Sequence, residues 1–266
     1  MAAVPQPQRL KQIIKRNLLW QYLKRRARRE GIDPKSLNRV RGFLENKFGQ
    51  RRWQAAAPLQ NPTGYFPELT ATPVYDPHQF DWVRTLEESA QAIRDEFFAL
   101  RERGLLKPHP QNLADAGAWN TYFLYSNGIR YAEHCAACPL TAAVIKNLPG
   151  AGSAGGVYFS VMAPGTHVQP HCGPVNTKIR CHLGLTVPDS SVIRVGSEKV
   201  HWREMGCIVF DDSFEHEVWN PEAERAVLII DLWHPDLTLA EQWALRYISK
   251  ASGRNRNYRK DLRRRR

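Results

Sequence analysis

The sequence predicts a mainly β domain, a sandwich or barrel, preceded by helices. Two observations lead there. After Gly117, short runs rich in β-branched and aromatic residues follow one another: TYFLY, VYFSVMA, KIRCHLGLTV, SVIRVG, GCIVFDD, EHEVW and RAVLIIDLW. Pro, Gly, Asn and Asp separate them, and many short strands at close spacing pack as two sheets or close into a barrel. Before Gly117 the apolar residues instead recur every three or four positions, the spacing of helices.

Leu10, Ile13, Ile14, Leu18 and Tyr22 keep that spacing, with Lys15, Arg16, Lys24, Arg25 and Arg26 between and beyond them. This predicts a basic amphipathic helix. Asp33-Pro34 supplies an N-cap and a first-turn proline for a second helix through about Lys47. Residues 55–78 hold Pro58, Pro62, Pro67, Pro73 and Pro77, so they form an extended connector. From Phe80 to Arg103 one helix is expected, with Leu86, Ala90, Ile93, Phe97 and Leu100 as its apolar stripe and Glu87, Glu88, Asp95 and Glu96 facing solvent. The strands follow. The closing stretch ASGRNRNYRKDLRRRR is too poor in apolar residues to build a core, and disorder is expected there.

Charge divides the chain in the same places. Residues 1–60 hold 15 Lys/Arg against 3 Asp/Glu, residues 61–249 hold 14 against 22, and residues 250–266 hold 9 against 1. We therefore expect a basic helical N-terminal segment (1–60), one folded domain (61–249) and a basic tail (250–266). The basic ends suit an anionic partner such as an acidic carrier protein, a membrane surface or nucleic acid, or else are a solvated helix and tail. No apolar run is long enough to cross a bilayer and the start has no signal-peptide pattern, so the expected location is cytoplasmic, with the membrane periphery left open by the basic ends. The five cysteines are scattered and make no disulfide framework.

The candidate chemistry lies in the β-rich half. His171 stands in PHCGPVNTKIRCHLGL, His216 in FDDSFEHEVWN, and Arg225 follows nine residues later. Imidazole suits iron, and two histidines with open positions would admit O2 and a co-substrate together. The third ligand of such a site is usually a carboxylate two residues after the first histidine, but Gly173 occupies that place. Asp211 and Asp212 precede a tight turn and are read as capping it. A lone histidine is most often a satisfied core or surface residue, and spacing alone leaves that reading open.

The three motifs GVYFSVMAPGTHVQPHCGPVNTKIRCHLGL, GCIVFDDSFEHEVWN and RAVLIIDLWHPDLT, in this order, resemble the aspartyl/asparaginyl β-hydroxylase family. The resemblance is dense from Gly155 to Thr238 and thinner back to residue 63. It implies a double-stranded β-helix core of jelly-roll, cupin-like type with flanking helices. It also implies a dioxygenase that uses Fe(II), 2-oxoglutarate and O2 to hydroxylate an unactivated carbon. Matched by motif, His171 and His216 would hold iron, and water would take the place that Gly173 leaves. Arg225 would pair with the distal carboxylate of 2-oxoglutarate, and Ser160, Arg180 and His182 would surround that co-substrate. Arg180 and His182 alternate with Ile179 and Cys181, so both should point to one face of a strand. Lys178 stands where the animal enzyme has an arginine thought to hold the substrate carboxylate.

The expected substrate is an Asp/Asn-type residue, free, peptidyl or carrier-bound, hydroxylated at its β-carbon. A lipid acyl chain is the second reading, because the family includes enzymes acting on lipid A. A non-catalytic sensor or scaffold on the same fold is the third, and the joint presence of His171, His216 and Arg225 weighs against it. Cys135 and Cys138 form a lone Cys-x-x-Cys, read as packing because zinc needs four ligands. Cys172 stands between candidate site residues, where oxidation is the expected liability, and nothing marks it as a nucleophile. His167, four residues before His171, would share its strand face, but Gly165 and Pro170 leave that geometry open, and a place beside the site or its substrate is the lesser reading; Trp233 and His234 are read as packing at the end of the last strand.

Overall fold

The computed structural model describes residues 6–49, 53–111 and 113–251. The expected disorder of the tail falls on residues 252–266, outside the described residues. Helices are α1 (Gln6–Arg29), α2 (Asn38–Lys47), α3 (Asp81–Glu88), α4 (Ala90–Glu102), α5 (Ala132–Ala137), α6 (Pro139–Lys146) and α7 (Leu239–Ala251). Strands are β1 (Val74–Tyr75), β2 (Lys107–Pro108), β3 (Ala114–Ala116), β4 (Trp119–Ser126), β5 (Ile129–Arg130), β6 (Gly156–Met162), β7 (Thr166–His171), β8 (Lys178–Thr186), β9 (Val192–Val195), β10 (Glu198–His201), β11 (Cys207–Phe210), β12 (His216–Asn220) and β13 (Arg225–Trp233).

Two antiparallel sheets face each other. The larger runs β1-β11-β8-β13-β6-β4-β2, with β5 on β4, and the smaller runs β10-β9-β12-β7-β3. From β6 to β13 the chain crosses between them: β6, β8, β11 and β13 lie in the larger sheet, and β7, β9, β10 and β12 in the smaller. This winding is a double-stranded β-helix. The alternation of β8 and β13 sorts their side chains. Ile179, Cys181, Leu183, Leu228, Ile230 and Leu232 point outward and are covered by Val83, Leu86, Ile93, Phe97 and Leu100 of α3 and α4. Val227 and Ile229 point inward, against Val168, Ile193 and Val218 of the smaller sheet. β13 is buried along its whole length. Both of its faces are covered, which is why RAVLIIDLW reads as a nearly unbroken apolar run.

The helix expected from Phe80 to Arg103 is two helices. Ser89 ends α3: its N–H donates to the carbonyls of Thr85 and Leu86, and its hydroxyl donates to Thr85 O at 2.8 Å. A serine that bonds back to the preceding turn competes with helix propagation, and α4 restarts at Ala90. The apolar stripe stays buried through the break. Two of the four acids expected in solvent are not there. Glu96 accepts from the N–H groups of Leu140 and Thr141, both at 2.8 Å, and from the Thr141 hydroxyl at 2.6 Å, capping the start of α6. Glu87 accepts from Cys207 N at 2.9 Å and joins α3 to β11. Cys135 and Cys138 are free thiols buried in the core beneath these helices, and burial pushes Cys138 up to about 12.

A second core joins the N-terminal segment to the end of the chain. Leu23 and Ala27 of α1, Val40, Phe43 and Leu44 of α2, and Ala244, Leu245 and Ile248 of α7 are buried together with Phe66 and Trp233. Arg39 ties this layer to α7 by donating to Glu241 at 2.8 and 2.6 Å. Among the described residues, no helix is long and apolar enough to cross a membrane.

Candidate active site

His171 ends β7 and His216 begins β12, and the two are direct cross-strand partners. Their rings lie 4.1 Å apart, centroid to centroid. Each ring is oriented by its own chain: Nδ1 of His171 donates to Gln169 O at 2.7 Å, and Nδ1 of His216 donates to Phe214 O at 2.9 Å. A carbonyl only accepts, so the proton sits on Nδ1 and the Nε2 lone pair is left bare in both rings. Burial keeps both imidazoles neutral: it lowers His171 and, together with the neighbouring His171, pushes His216 down to about 3. Two neutral imidazoles, each locked through Nδ1 and converging side by side, fit a divalent metal with N-ligand preference. Among the described residues no cluster of three His, Cys, Asp or Glu side chains suits a metal.

Gly173 shows why no carboxylate stands in the third position. A Cβ there would come within 2.6 Å of the Asp212 carboxylate. Asp212 does not merely cap the turn, as the sequence suggested. Asp211 does that, accepting from Ser213 N at 2.8 Å. Asp212 is drawn inward by Lys178 at 2.6 Å and Arg180 at 3.2 Å, and its Oδ1 is buried with no partner. Asp231 closes the cluster, accepting from Lys178 at 3.0 Å, Arg180 Nε at 2.9 Å and Gly156 N at 2.8 Å. Burial works against both carboxylates, but Arg180 and then Lys178 outweigh it and hold them below the usual range.

A pocket opens beside the histidines between the two sheets. His171, His216, Arg180, His182 and Arg225 line it, with Trp119, Tyr158 and Phe210 as aromatic walls. Arg180 and His182 share one face of β8, as their alternation predicted. Arg225 is fully buried at the start of β13, and its Nε and Nη1 have no hydrogen-bond partner. Its guanidinium lies 4.3 Å from the Trp202 ring centroid, and Nη2 is 3.5 Å from Ser160 Oγ. Burial without a facing carboxylate pulls Arg225 down to about 9, still a cation at neutral pH. A buried, unpaired cation is costly unless an anion joins it.

The other polar groups point the same way. Trp202 Nε1 donates to His182 Nδ1 at 3.2 Å, so neutral His182 carries its proton on Nε2, and that buried nitrogen has no protein partner. Burial, then Arg225 and Arg180, hold His182 well below its ordinary value. Trp119 Nε1 donates to Ser160 Oγ at 2.9 Å and fixes the hydroxyl beside Arg225. The set can receive a carboxylate on Arg225 with a further donor from His182.

Lys178 is placed differently from its sequence reading. Its ammonium is buried between Asp212 and Asp231 and does not line the pocket. His167 lies away from the pocket, bridging Asp115 and Glu217 at 2.8 Å each. His234 is buried between Tyr75 and Thr70. Sequence reading missed Trp202, Trp119 and His109, whose ring stacks on Trp119 at 3.7 Å. Trp202 and His109 lie outside the motifs that carry the family resemblance, and Trp119 lies in its thinner part, GAWNTYFLY. Asp231 gives no signal of its own in the sequence, because its carboxylate is hidden in the apolar run RAVLIIDLW.

A double-stranded β-helix with a histidine pair, an unpaired arginine and a pocket between the sheets defines the class. The chain belongs to the aspartyl/asparaginyl beta-hydroxylase family, whose sequence profile matches residues 87–235. It is 35% identical to human aspartyl/asparaginyl beta-hydroxylase over 208 residues, 75% of this chain and 27% of that one. It is 36% identical to rat aspartate beta-hydroxylase domain-containing protein 2 over 214 residues, 75% of this chain and 62% of that one. It is also 35% identical to the ornithine lipid ester-linked acyl 2-hydroxylase of Rhizobium tropici over 193 residues, 68% of each chain. The chain thus spans about a quarter of the length of the human protein it matches.

Proposed function

We propose that this chain is an Fe(II)- and 2-oxoglutarate-dependent hydroxylase, with His171 and His216 holding the metal and Arg225 binding the far carboxylate of the co-substrate. One observation carries the reading: a fully buried arginine with free N–H groups shares a pocket with two imidazoles that both present bare Nε2 atoms. Bound iron with 2-oxoglutarate supplies oxidation of an unactivated C–H bond by O2, with succinate and CO2 as co-products. The chain's own residues bind, orient and exclude water. Arg225 supplies a directional charge-assisted pair for a carboxylate. Ser160, held by Trp119, and His182, held by Trp202, would add donors on either side. Asp212 and Asp231 keep Arg180 and Lys178 in place beneath the histidines, and the aromatic walls keep the pocket dry.

The preferred substrate is an Asp/Asn-type residue, free, in a peptide or on a carrier, with hydroxylation at the β-carbon. A substrate carboxylate would have to compete with Asp212 and Asp231 for Lys178, so we give Lys178 the smaller part in holding it. Hydroxylation of a lipid acyl chain is the second reading, favoured by an exposed apolar row on α1. Succinate release measured with amino acids, acidic peptides, carrier-bound amino acids and lipids tests both. Release with none of them above the uncoupled background, alongside His171→Ala and His216→Ala controls that still bind iron anaerobically, would sink the assignment.

A further inference from the structure

α1 carries two apolar faces, and the fold uses one. Leu23 and Ala27 are fully buried against the layer formed with α2 and α7, with Leu19 and Trp20 half-buried beside them. On the opposite side Leu10, Ile14, Leu18 and Tyr22 are 59, 50, 67 and 48% exposed, and of these Tyr22, at the end of the row, also meets the Tyr247 ring of α7 edge-on at 6.1 Å. A spacing of four puts them in one row, roughly 18 Å long at the helical rise. The helix holds nine Lys/Arg and no Asp/Glu. Lys11, Arg25, Arg28 and Arg29 are exposed on the side of this row and, among the described residues, enter no ion pair.

We propose that α1 docks on an anionic lipid surface. The Leu10, Ile14, Leu18 and Tyr22 row enters the boundary between headgroups and acyl chains, and the flanking cations meet the lipid phosphates. Helices that lie in this interface combine an apolar row with a basic border, and long Lys and Arg stems let the charges reach the headgroups. Charge argues against other occupants. A second copy of α1 would bring nine cations against nine. Residues 252–266 hold eight Lys/Arg and one Asp, so the chain's own end is repelled as well. An acidic protein would need an apolar groove matched to the row as well as its charge, a demand that a lipid surface meets without any matching shape. The rest of the molecule fits a lipid surface too. Residues 61–249 carry a net −8, so an anionic surface pulls α1 down and turns the β domain away. This inference is independent of the reaction in the pocket.

Co-sedimentation of the full chain with phosphatidylcholine vesicles, with and without phosphatidylglycerol, tests it. Binding to the anionic vesicles and not to pure phosphatidylcholine is expected, weakening roughly tenfold or more as salt is raised from physiological strength. The double variant Ile14→Ser/Leu18→Ser keeps every charge and alters only exposed positions. It should retain the wild-type melting temperature and lose at least about tenfold in vesicle affinity, since two large side chains no longer enter the interface. Absence of wild-type binding to anionic vesicles overturns the proposal. Equal binding by the double variant overturns it in favour of a purely electrostatic contact. A wild-type dimer that Leu18→Ser dissociates, with no vesicle binding, overturns it in favour of a second copy.

Discussion

Asp212 lies so close over Gly173 that a Cβ at position 173 would meet its carboxylate at 2.6 Å. Gly173 N also donates to the Asp212 carbonyl, so the two chain segments are held together at this point. The pair accounts for the two-histidine pattern. A carboxylate already occupies the space beside the histidines, it is anchored by Lys178 and Arg180, and it arrives from the turn that precedes His216 rather than from the loop that follows His171. Gly173→Asp should therefore impair turnover by crowding and by like charge, instead of completing a ligand set. Gly173→Ala isolates the crowding. It should lower stability by about 1–3 kcal/mol, as overpacking of a dense site does. Thermal melts and succinate release on both variants check this. Wild-type turnover in Gly173→Asp would show that the glycine is incidental.

Arg225 supports a prediction that separates binding from stability. Its burial without a partner is unfavourable until an anion arrives. Arg225→Met should raise the 2-oxoglutarate requirement by roughly 2–5 kcal/mol of lost pairing, a factor of about 30 or more. It should leave the ligand-free protein as stable as before, or more so, because a buried unpaired cation is removed. Iron binding should persist. Isothermal titration with 2-oxoglutarate and melts of the ligand-free protein measure the two effects. An unchanged co-substrate affinity removes Arg225 from the site.

Much of this pocket was legible in the sequence, and what was hidden has physical causes. His171, His216 and Arg225 stand out through the motifs alone, and Arg180 and His182 through the motifs and the alternation of β8 together. β7 could not be read as a strand from composition, since THVQPH is polar and contains Pro170. The ion cluster was invisible for another reason. Lys178, Asp212 and Asp231 lie far apart in the chain, and only the pairing of β8 with β13 and the turn before β12 bring them together. The same limit produced the error over Glu87 and Glu96. Periodicity places them on the polar side of a helix, but cannot show that β11 and the start of α6 lie within reach. Ser89 stood inside an uninterrupted apolar stripe, so the break it makes left no trace in the pattern.

The cluster also sets a pH dependence. Asp212 and Asp231 are held below the usual carboxylate range by Arg180 and Lys178. A carboxylate that is more acidic in the folded state contributes stability above its unfolded pKa, near 4, and that contribution disappears as pH falls through the folded value. The protein should lose stability steadily below about pH 4. Asp231→Asn leaves Lys178 and Arg180 under-compensated in a buried place and should cost about 3 kcal/mol at neutral pH. Its own contribution to the acid loss should vanish, so the stability profile below pH 4 becomes shallower. Urea melts of both proteins across that range decide it. Parallel profiles would mean that Asp231 does not carry the linkage.

The second core makes the N-terminal segment more than a docking device. Arg39 donates twice to Glu241, which is 2% exposed, and also to the carbonyls of Glu68 and Asp236. Its guanidinium lies over the Phe66 ring at 5.4 Å. One side chain thus fastens α2, the connector and α7. Arg39→Ala strands a buried carboxylate and two carbonyls, and should cost about 3 kcal/mol. Arg39→Ala/Glu241→Ala removes both charges and should recover part of that loss, because no carboxylate is then left unpaired. Removing residues 1–50 altogether strips Leu23, Ala27, Val40, Phe43 and Leu44 from the faces of α7 and Trp233. The truncated chain should therefore melt well below the full chain or aggregate, so a loss of turnover on truncation does not by itself identify a docking role. Denaturant melts of the point variants and of the truncation, read together, test this. A truncated chain that melts with the full one would show that the β domain stands alone and that the α1–α2–α7 layer contributes nothing to its stability.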